Sequence, residues 1–384
     1  MLYSIRENAA SPTGQQANQY HFIIMITPMR EKEHLNLILL AASMAPSADN
    51  SQPWFFTTTE STIFLHHDHE RTHANHIYNI DYFGDFVSLG AVLENIAVQS
   101  AHLGYEPTTT LLEYEKGRPL ARVDLRKITE GADETLADAI TRRKTNRRSY
   151  QTKGLPRTVR DRAERIAERT GATLEWIDDR DDIRTFAEII SRHDFVLWED
   201  HALRDNLLRM LRFGKGTQPE GLSLDSLELG LKRFLFKPAI SVATHLPAIW
   251  RFMAIGSVLH TRTTIGNSGA LGIITMPTPD NHPHTYIRGG RALGSVWMDL
   301  AGHGIAVQPL FGPLAFMLNG KLKRGNLSKR HETIRSAIDR QFEAHFPGLA
   351  GRTPVAFFRT GYAEKPSAVS GRKKLTEFIR KHKQ

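Results

Sequence analysis

Three short stretches of the chain concentrate side chains able to bind or react. The first is Ala45-Pro46-Ser47-Ala48-Asp49-Asn50-Ser51-Gln52-Pro53-Trp54, dense in hydroxyls and amides. Such a loop can fix the polar edge of a planar ligand. Proline, serine, aspartate and asparagine are equally the residues of an ordinary helix-to-strand turn. The second is Arg142-Arg143-Lys144-Thr145-Asn146-Arg147-Arg148, five positive charges in seven residues. Guanidinium forks beside a threonine hydroxyl suit a phosphate monoester. A solvated basic face is the plainer reading, and a nucleic-acid patch a third, although no aromatic residues interleave the arginines. The third is His66-His67-Asp68-His69, with His73 and His76 nearby. It matches no zinc-ligand spacing, so a polar loop is expected there and no metal.

Elements must position these groups. Residues 30–45 read as a helix stopped by Pro46, and Phe55–Leu65 as a strand. Leu89, Val92, Leu93, Ile96 and Ala97 recur at helical spacing, ending at Gly104. A strand is expected at Ala121–Leu125 and a helix at Gly131–Arg143. Sliding the chain by 200 residues superposes Gly90 on Gly290, Leu93 on Leu293, Ala101 on Ala301 and Gly104 on Gly304. An extended, proline-bearing segment follows each copy (Pro107 and Pro309), which points to two related α+β halves. Residues 195–258 fit neither half. They contain helical stretches at Leu203–Arg212 and Leu222–Leu231 and an apolar, Pro-punctuated piece at Phe234–Ile255. This is expected to be a helical insertion packed on the body, or a lid over a ligand.

With 384 residues, 40% hydrophobic and 24% charged, the chain has room for two globular units or one large one. The absence of cysteine excludes disulfides, thiolate metal sites and thiol nucleophiles. Net charge is +9, and residues 142–148 and 371–384 each carry a net +5. The basic tail is expected to fray. No apolar run reaches the roughly 18 residues a spanning helix needs, and Phe22–Ile26 is too short for a signal peptide. A cytoplasmic protein with a flexible extension at residues 1–28 is expected. G-G-R-A-L-G at 289–294 is not a dinucleotide fingerprint, and Gly266-Asn267-Ser268-Gly269 misses a nucleophile elbow.

In order along the chain, four stretches resemble motifs of the nitroreductase family of FMN-dependent oxidoreductases. Ala45–Trp54 is similar to its A-P-S-x-x-N-x-Q-P-W loop, and Arg143–Arg147 to its phosphate grip. Gly304-Ile305-Ala306-Val307-Gln308-Pro309-Leu310-Phe311-Gly312 resembles the stretch whose backbone amides approach flavin N5. Gly361-Tyr362, Pro366 and Arg372-Lys373-Lys374 resemble its C-terminal strand and tail. The loop precedes the grip here, as in the fused single-chain (Acg-like) branch, where two halves imitate a dimer.

The resemblance implies an α+β fold of two fused halves, each a mainly antiparallel sheet flanked by helices, at 29–133 and 134–384. It implies FMN held by Pro46, Ser47, Asn50, Gln52, Arg143, Thr145, Asn146, Arg147, Leu310, Gly312 and Arg372, with no side chain named as a catalytic acid or base. NADH or NADPH would donate electrons, and a nitroarene, quinone or similar small molecule would accept them. A protein that sequesters FMN beneath the 195–258 segment with little turnover is the alternative. Phe311 stands where many members carry an acidic residue, and half one lacks an arginine grip. One flavin per chain is therefore expected, in a monomer or homodimer without nucleic acid or a membrane span.

Overall fold

The computed structural model describes residues 31–72, 78–128, 134–214, 217–230, 233–322 and 327–381. The expected extension at 1–28, His73, His76 and residues 382–384 lie outside these. The first half comprises α1 (Glu31–Ser43), β1 (Trp54–Thr58), β2 (Thr62–His67), α2 (Phe83–His102), β3 (Tyr105–Leu111) and β4 (Pro119–Lys127). Helix α3 (Glu134–Arg142) leads into α4 (Arg157–Glu168) and β5 (Thr173–Ile177). Then come α5 (Arg180–Ile190), α6 (His193–Glu199), α7 (His201–Met210), β6 (Leu211–Arg212), β7 (Leu222–Ser223), α8 (Arg233–Ala243) and α9 (Ala248–Gly266). The chain returns through β8 (Ala270–Met276), α10 (Pro283–Gly302), β9 (Ala306–Pro309), α11 (Phe311–Leu322), α12 (Lys329–His345), β10 (Thr353–Gly361) and α13 (Leu375–Phe378).

Two four-stranded antiparallel sheets result, ordered β1-β2-β4-β3 and β5-β8-β10-β9. Each sheet has a long helix between its second and third strands in sequence, so the same topology occurs twice. The 200-residue spacing is physical: α2 and α10 begin 200 residues apart and pack against each other. At their crossing, a Cβ on Gly90 would lie 2.1 Å from the Ile287 carbonyl oxygen, and one on Gly290 2.1 Å from that of Val87. Only glycine permits this approach of two helix backbones. Gly104 and Gly304 terminate the helices in the left-handed region, at φ 80° and 72°. One apolar core runs through both halves and includes Leu89, Val92, Leu93, Leu293, Val296 and Trp297.

Several local expectations are corrected. Phe55–Leu65 is a hairpin, because polar Thr59, Glu60 and Ser61 turn the chain and Thr59 N–H donates to the Thr62 carbonyl at 2.9 Å. Leu222–Leu231 does not form a helix. Leu222 and Ser223 pair with β6, the Ser223 hydroxyl caps a single turn at Leu224–Leu227, and Glu228 and Gly230 turn left-handed. The segment inserted between β5 and β8 spans 178–269, wider than 195–258, where β1 and β2 are joined by residues 59–61. The basic tail does not fray through residue 381. Phe378 is buried against Trp54, their rings stacked 6.0 Å apart, and Arg380 N–H donates to the Phe56 carbonyl.

Candidate functional site

The loop from Met44 to Pro53 is unusual in its backbone. Asp49, Asn50 and Gln52 sit at φ 50°, 55° and 51°. Side chains other than glycine adopt this region at a cost, so surrounding contacts must hold them. The Gln52 N–H donates to Ser47 Oγ at 3.0 Å. Gln52 itself is fully buried, its Nε2 donating to the Pro219 carbonyl and its Oε1 accepting from Lys373 N–H. Asn50 Nδ2 donates to the Gly371 carbonyl at 3.2 Å, and its Oδ1 accepts from Arg372 at 2.9 Å. The strained loop is therefore tied to both the inserted segment and the C-terminal segment.

Arg143, Thr145, Arg147 and Arg372 converge with Ser47 and Asn50 on a polar cavity. Residue 143 follows α3 directly, and Thr145 is bridged to Val307 in β9, which fixes this stretch against the second sheet. Arg143 is buried, lies 4.6 Å over the Trp297 ring and donates to the Met44 carbonyl at 2.6 Å. Arg372 donates to the Met44 and Ala45 carbonyls at 3.1 and 2.9 Å. The Nε of each arginine is buried without a partner among the described residues. Burial, and then the charge of Arg372, push Arg143 down to about 9, and burial pushes Arg372 down to about 10. Burial, Arg143 and Arg372 together lower Lys144. Arginine resists deprotonation in proteins, so this clustered charge calls for an anion. A phosphate monoester fits the donor set: guanidinium forks with unused N–H groups, a lysine and two hydroxyls.

Arg147 differs, since Asp49 partly offsets its burial, and its guanidinium donates to the Ser226 carbonyl at 3.2 Å. The inserted segment closes this side. Gly221 N–H meets the Asn50 carbonyl at 3.4 Å, and Glu220 pairs with Arg71 and with Lys373, the latter at 3.2 Å.

The polar cavity adjoins an apolar chamber, with Pro46, Ser47, Asp49, Thr145 and Arg147 lining both. Its walls include Ala91, Leu207, Leu293, Trp297 and Phe311, contributed by α2, α7, α10 and the start of α11. Tyr78 and His193 supply its polar edge. Tyr78 Oη lies 2.8 Å from His193 Nε2, and His193 Nδ1 lies 3.2 Å from Asp194 Oδ1. Asp194 Oδ2 accepts from Ser257 and Thr261 at 2.7 and 2.6 Å. Burial alone would raise Asp194, but hydrogen bonds from His193, Thr261 and Ser257 hold it below the usual carboxylate range. A carboxylate only accepts, so His193 Nδ1–H donates to Asp194. Burial, then Asp194, Asp49 and Asp200, push Tyr78 well above its ordinary value, so the phenol keeps its proton.

Of the residues expected from the sequence, Pro46, Ser47, Asn50, Arg143, Thr145, Arg147 and Arg372 line the polar cavity, and Gly312 lines the chamber. A Cβ on Gly312 would lie 2.4 Å from His193 Cε1, so the imidazole packs directly on this glycine. Gln52, Asn146 and Leu310 line neither space. Gln52 buttresses the loop, Asn146 donates to the Glu364 carbonyl at 2.8 Å, and the Leu310 N–H is spent on the Phe357 carbonyl at 2.7 Å. The sequence reading omitted Asp49, Lys144, Tyr78, His193 and Trp297. Asp49 and Lys144 stood inside the singled-out motifs, whereas His193 lies just before the expected insertion boundary. The basic run 142–148 is dispersed: Arg142 pairs with Asp138, and Arg148 with Glu228 and Glu364. His66 bonds Thr57, and His67 bridges Asp85 and Tyr114, placing both in a buried structural network. Among the described residues no group of three or more potential ligands gathers around a metal-sized site, and no helix is long and apolar enough to cross a membrane.

No family model matches this chain. It is 27% identical over 357 residues to an uncharacterized protein, MT1398, of Mycobacterium tuberculosis (strain CDC 1551 / Oshkosh). That match covers 90% of this chain and 48% of the relative, so the chain spans about half the relative's length. Solved structures similar to it include an oxidized iodotyrosine deiodinase bound to FMN and 3-iodo-L-tyrosine, 13% identical at a TM-score of 0.35, covering 62% of this chain and 95% of that one. The FMN-dependent nitroreductase NfnB of Mycobacterium smegmatis, in complex with NADPH, is 14% identical at 0.35, covering 64% and 98%. A nitroreductase with bound FMN from Desulfitobacterium hafniense DCB-2 is 7% identical at 0.37, covering 64% and 97%. At these TM-scores the likenesses carry no weight beside the geometry of the site.

Proposed function

We propose that the chain is an FMN-dependent oxidoreductase of nitroreductase type, built as two fused halves at 29–133 and 134–384 and acting on a small electron-poor acceptor. One observation carries this reading: two buried arginines without a carboxylate partner among the described residues stand at the polar end of an apolar chamber. A flavin mononucleotide has that same polarity, a phosphate at one end and an apolar ring system at the other. Arg143, Arg372 and Thr145 would hold the phosphate, Ser47 and Asn50 would orient the polyol, and Trp297, Leu293 and Phe311 would exclude water from the ring. When bound, FMN would supply hydride chemistry, with NADH or NADPH as electron donor and a nitroarene, quinone or similar small molecule as acceptor. Tyr78 Oη holds a proton at the chamber edge, with His193 and Asp194 behind it. The chain acts in the cytoplasm as a monomer or homodimer.

A second reading has a specific observation in its favour. The inserted segment is fastened over the cavity through Glu220, Gly221 and Pro219, and His193 covers Gly312. A lid held this way suits sequestration of FMN with little turnover. Purification and anaerobic titration test both. A yellow protein bleached by NADH or NADPH and recovered by a quinone supports the enzyme, whereas a yellow protein that neither donor bleaches supports sequestration. A protein that stays colourless after FMN addition refutes both.

A further inference from the structure

The inserted α8–α9 hairpin presents an apolar surface that nothing in the flavin site uses. Phe234 is 64% exposed, Leu235 70% and Phe252 73%, and Val242, Leu246, Ile255 and Leu259 are exposed beside them. On α9 these positions are ordered. At 3.6 residues per turn, Ala248, Phe252, Ile255 and Leu259 fall within an arc of about 60°, and Arg251 borders that stripe. The opposite face of the hairpin is satisfied. Trp250, Ala243 and Ala254 are buried in a small separate cluster, where Trp250 stacks on Trp198 of α6 at 6.0 Å. The exposed stripe is therefore not a core face missing its neighbour.

Charge identifies what would cover it. Residues 229–279 contain no aspartate or glutamate, against Lys232, Arg233, Lys237, Arg251 and Arg262. Arg233 turns to Asp225 and Arg262 to Glu188, both outside that stretch, while Lys237 and Arg251 are exposed beside the apolar residues. A face for a second copy of this chain would set like charges against like across a symmetric contact. Phenylalanine and leucine flanked by basic side chains, on helices too short and too polar to span, instead match an interfacial element lying on an anionic bilayer.

We propose that the α8–α9 hairpin docks the chain on an anionic lipid surface, with Phe234, Leu235 and Phe252 entering the headgroup boundary and Lys237 and Arg251 meeting lipid phosphates. The proposal stands apart from the flavin reading, because none of these side chains lines the cavity or the chamber.

The test is sedimentation of the full chain with phosphatidylglycerol-rich and with pure phosphatidylcholine vesicles. Binding to the first, weak or absent on the second and falling with added salt, is expected. Phe234→Ser with Phe252→Ser should weaken it about a hundredfold, at roughly tenfold per buried ring. Lys237→Glu with Arg251→Glu should abolish the preference for anionic vesicles. All four positions are exposed, so thermal unfolding should stay unchanged, and the salt and lipid dependence of the unmodified chain tests the proposal without any variant. No sedimentation with anionic vesicles overturns it, as does equal binding to both vesicle types. A concentration-dependent dimer broken by Phe252→Ser, with no vesicle binding, also overturns it and assigns the face to a second copy.

Discussion

Arg143→Met separates the anion grip from the packing around it. Arg143 donates to the Met44 carbonyl and covers Trp297. Arg372 also donates to that carbonyl, at 3.1 Å, so the substitution leaves no orphaned acceptor. The lost cation–π contact costs about 0.5–2 kcal/mol. Against it stands relief of a buried cation that already repels Arg372 and Lys144. Methionine fills most of the same volume and packs well on an indole. The net change in stability without FMN is therefore expected within about 1 kcal/mol. The effect on FMN is one-sided. Losing a charge-assisted hydrogen bond to phosphate removes about 1.5–3 kcal/mol, a ten- to hundredfold rise in Kd. Riboflavin lacks the phosphate, so its affinity should be unchanged. Fluorescence titration of both flavins against both proteins, with melts of the ligand-free forms, gives the comparison. An equal loss for riboflavin and FMN would show that Arg143 shapes the pocket without gripping phosphate. Unchanged FMN affinity would falsify the grip itself.

Other expectations follow from the same geometry. Gly290→Ala forces a Cβ against the Val87 carbonyl and should cost about 3 kcal/mol or more, read as a large fall in Tm by calorimetry; a Tm within a degree or so of the parent would refute the backbone contact between α2 and α10. Glu220→Ala removes the pairs to Arg71 and Lys373 that fasten the inserted segment. At about 1 kcal/mol for such half-exposed pairs, FMN release should quicken about fivefold in stopped-flow measurements, and an unchanged rate would mean the segment is no lid. Asp339 is raised to about 6, chiefly by burial, with Arg335 opposing. A carboxyl raised on folding stabilises below its unfolded value near 4 and loses that contribution as pH rises through 6. Asp339→Asn should therefore flatten the stability change between pH 4 and 7, by about 1 kcal/mol after allowing for its partial exposure. Parallel urea curves for variant and parent across that range would contradict it.

The reactive groups and the repeat were legible in sequence because both are local or periodic. Turn chemistry marked the 45–54 loop, charge density marked Arg143 and Arg147, and two glycine-ended apolar helices 200 residues apart declared the duplication. Burial was not legible. Arg142, Arg143 and Arg147 are chemically alike, yet Arg142 is exposed and paired with Asp138 while Arg143 is buried over an indole. That difference arises where α3 stops against α10, a contact between residues 150 positions apart in the chain. The resemblance implied Gln52, Asn146 and Leu310 at the cofactor, and each donates to a neighbour supplied from 219, 364 or 357. Hydrogen-bond partners that distant are invisible in a linear pattern. The Tyr78–His193–Asp194 chain has the same origin, since it needs the inserted helices folded back over the start of α2. The sequence by itself determined which side chains could grip an anion and that the architecture is doubled. The tertiary structure decided which of those cations are desolvated and, among the described residues, left without a counter-charge, because burial and pairing are properties of long-range packing.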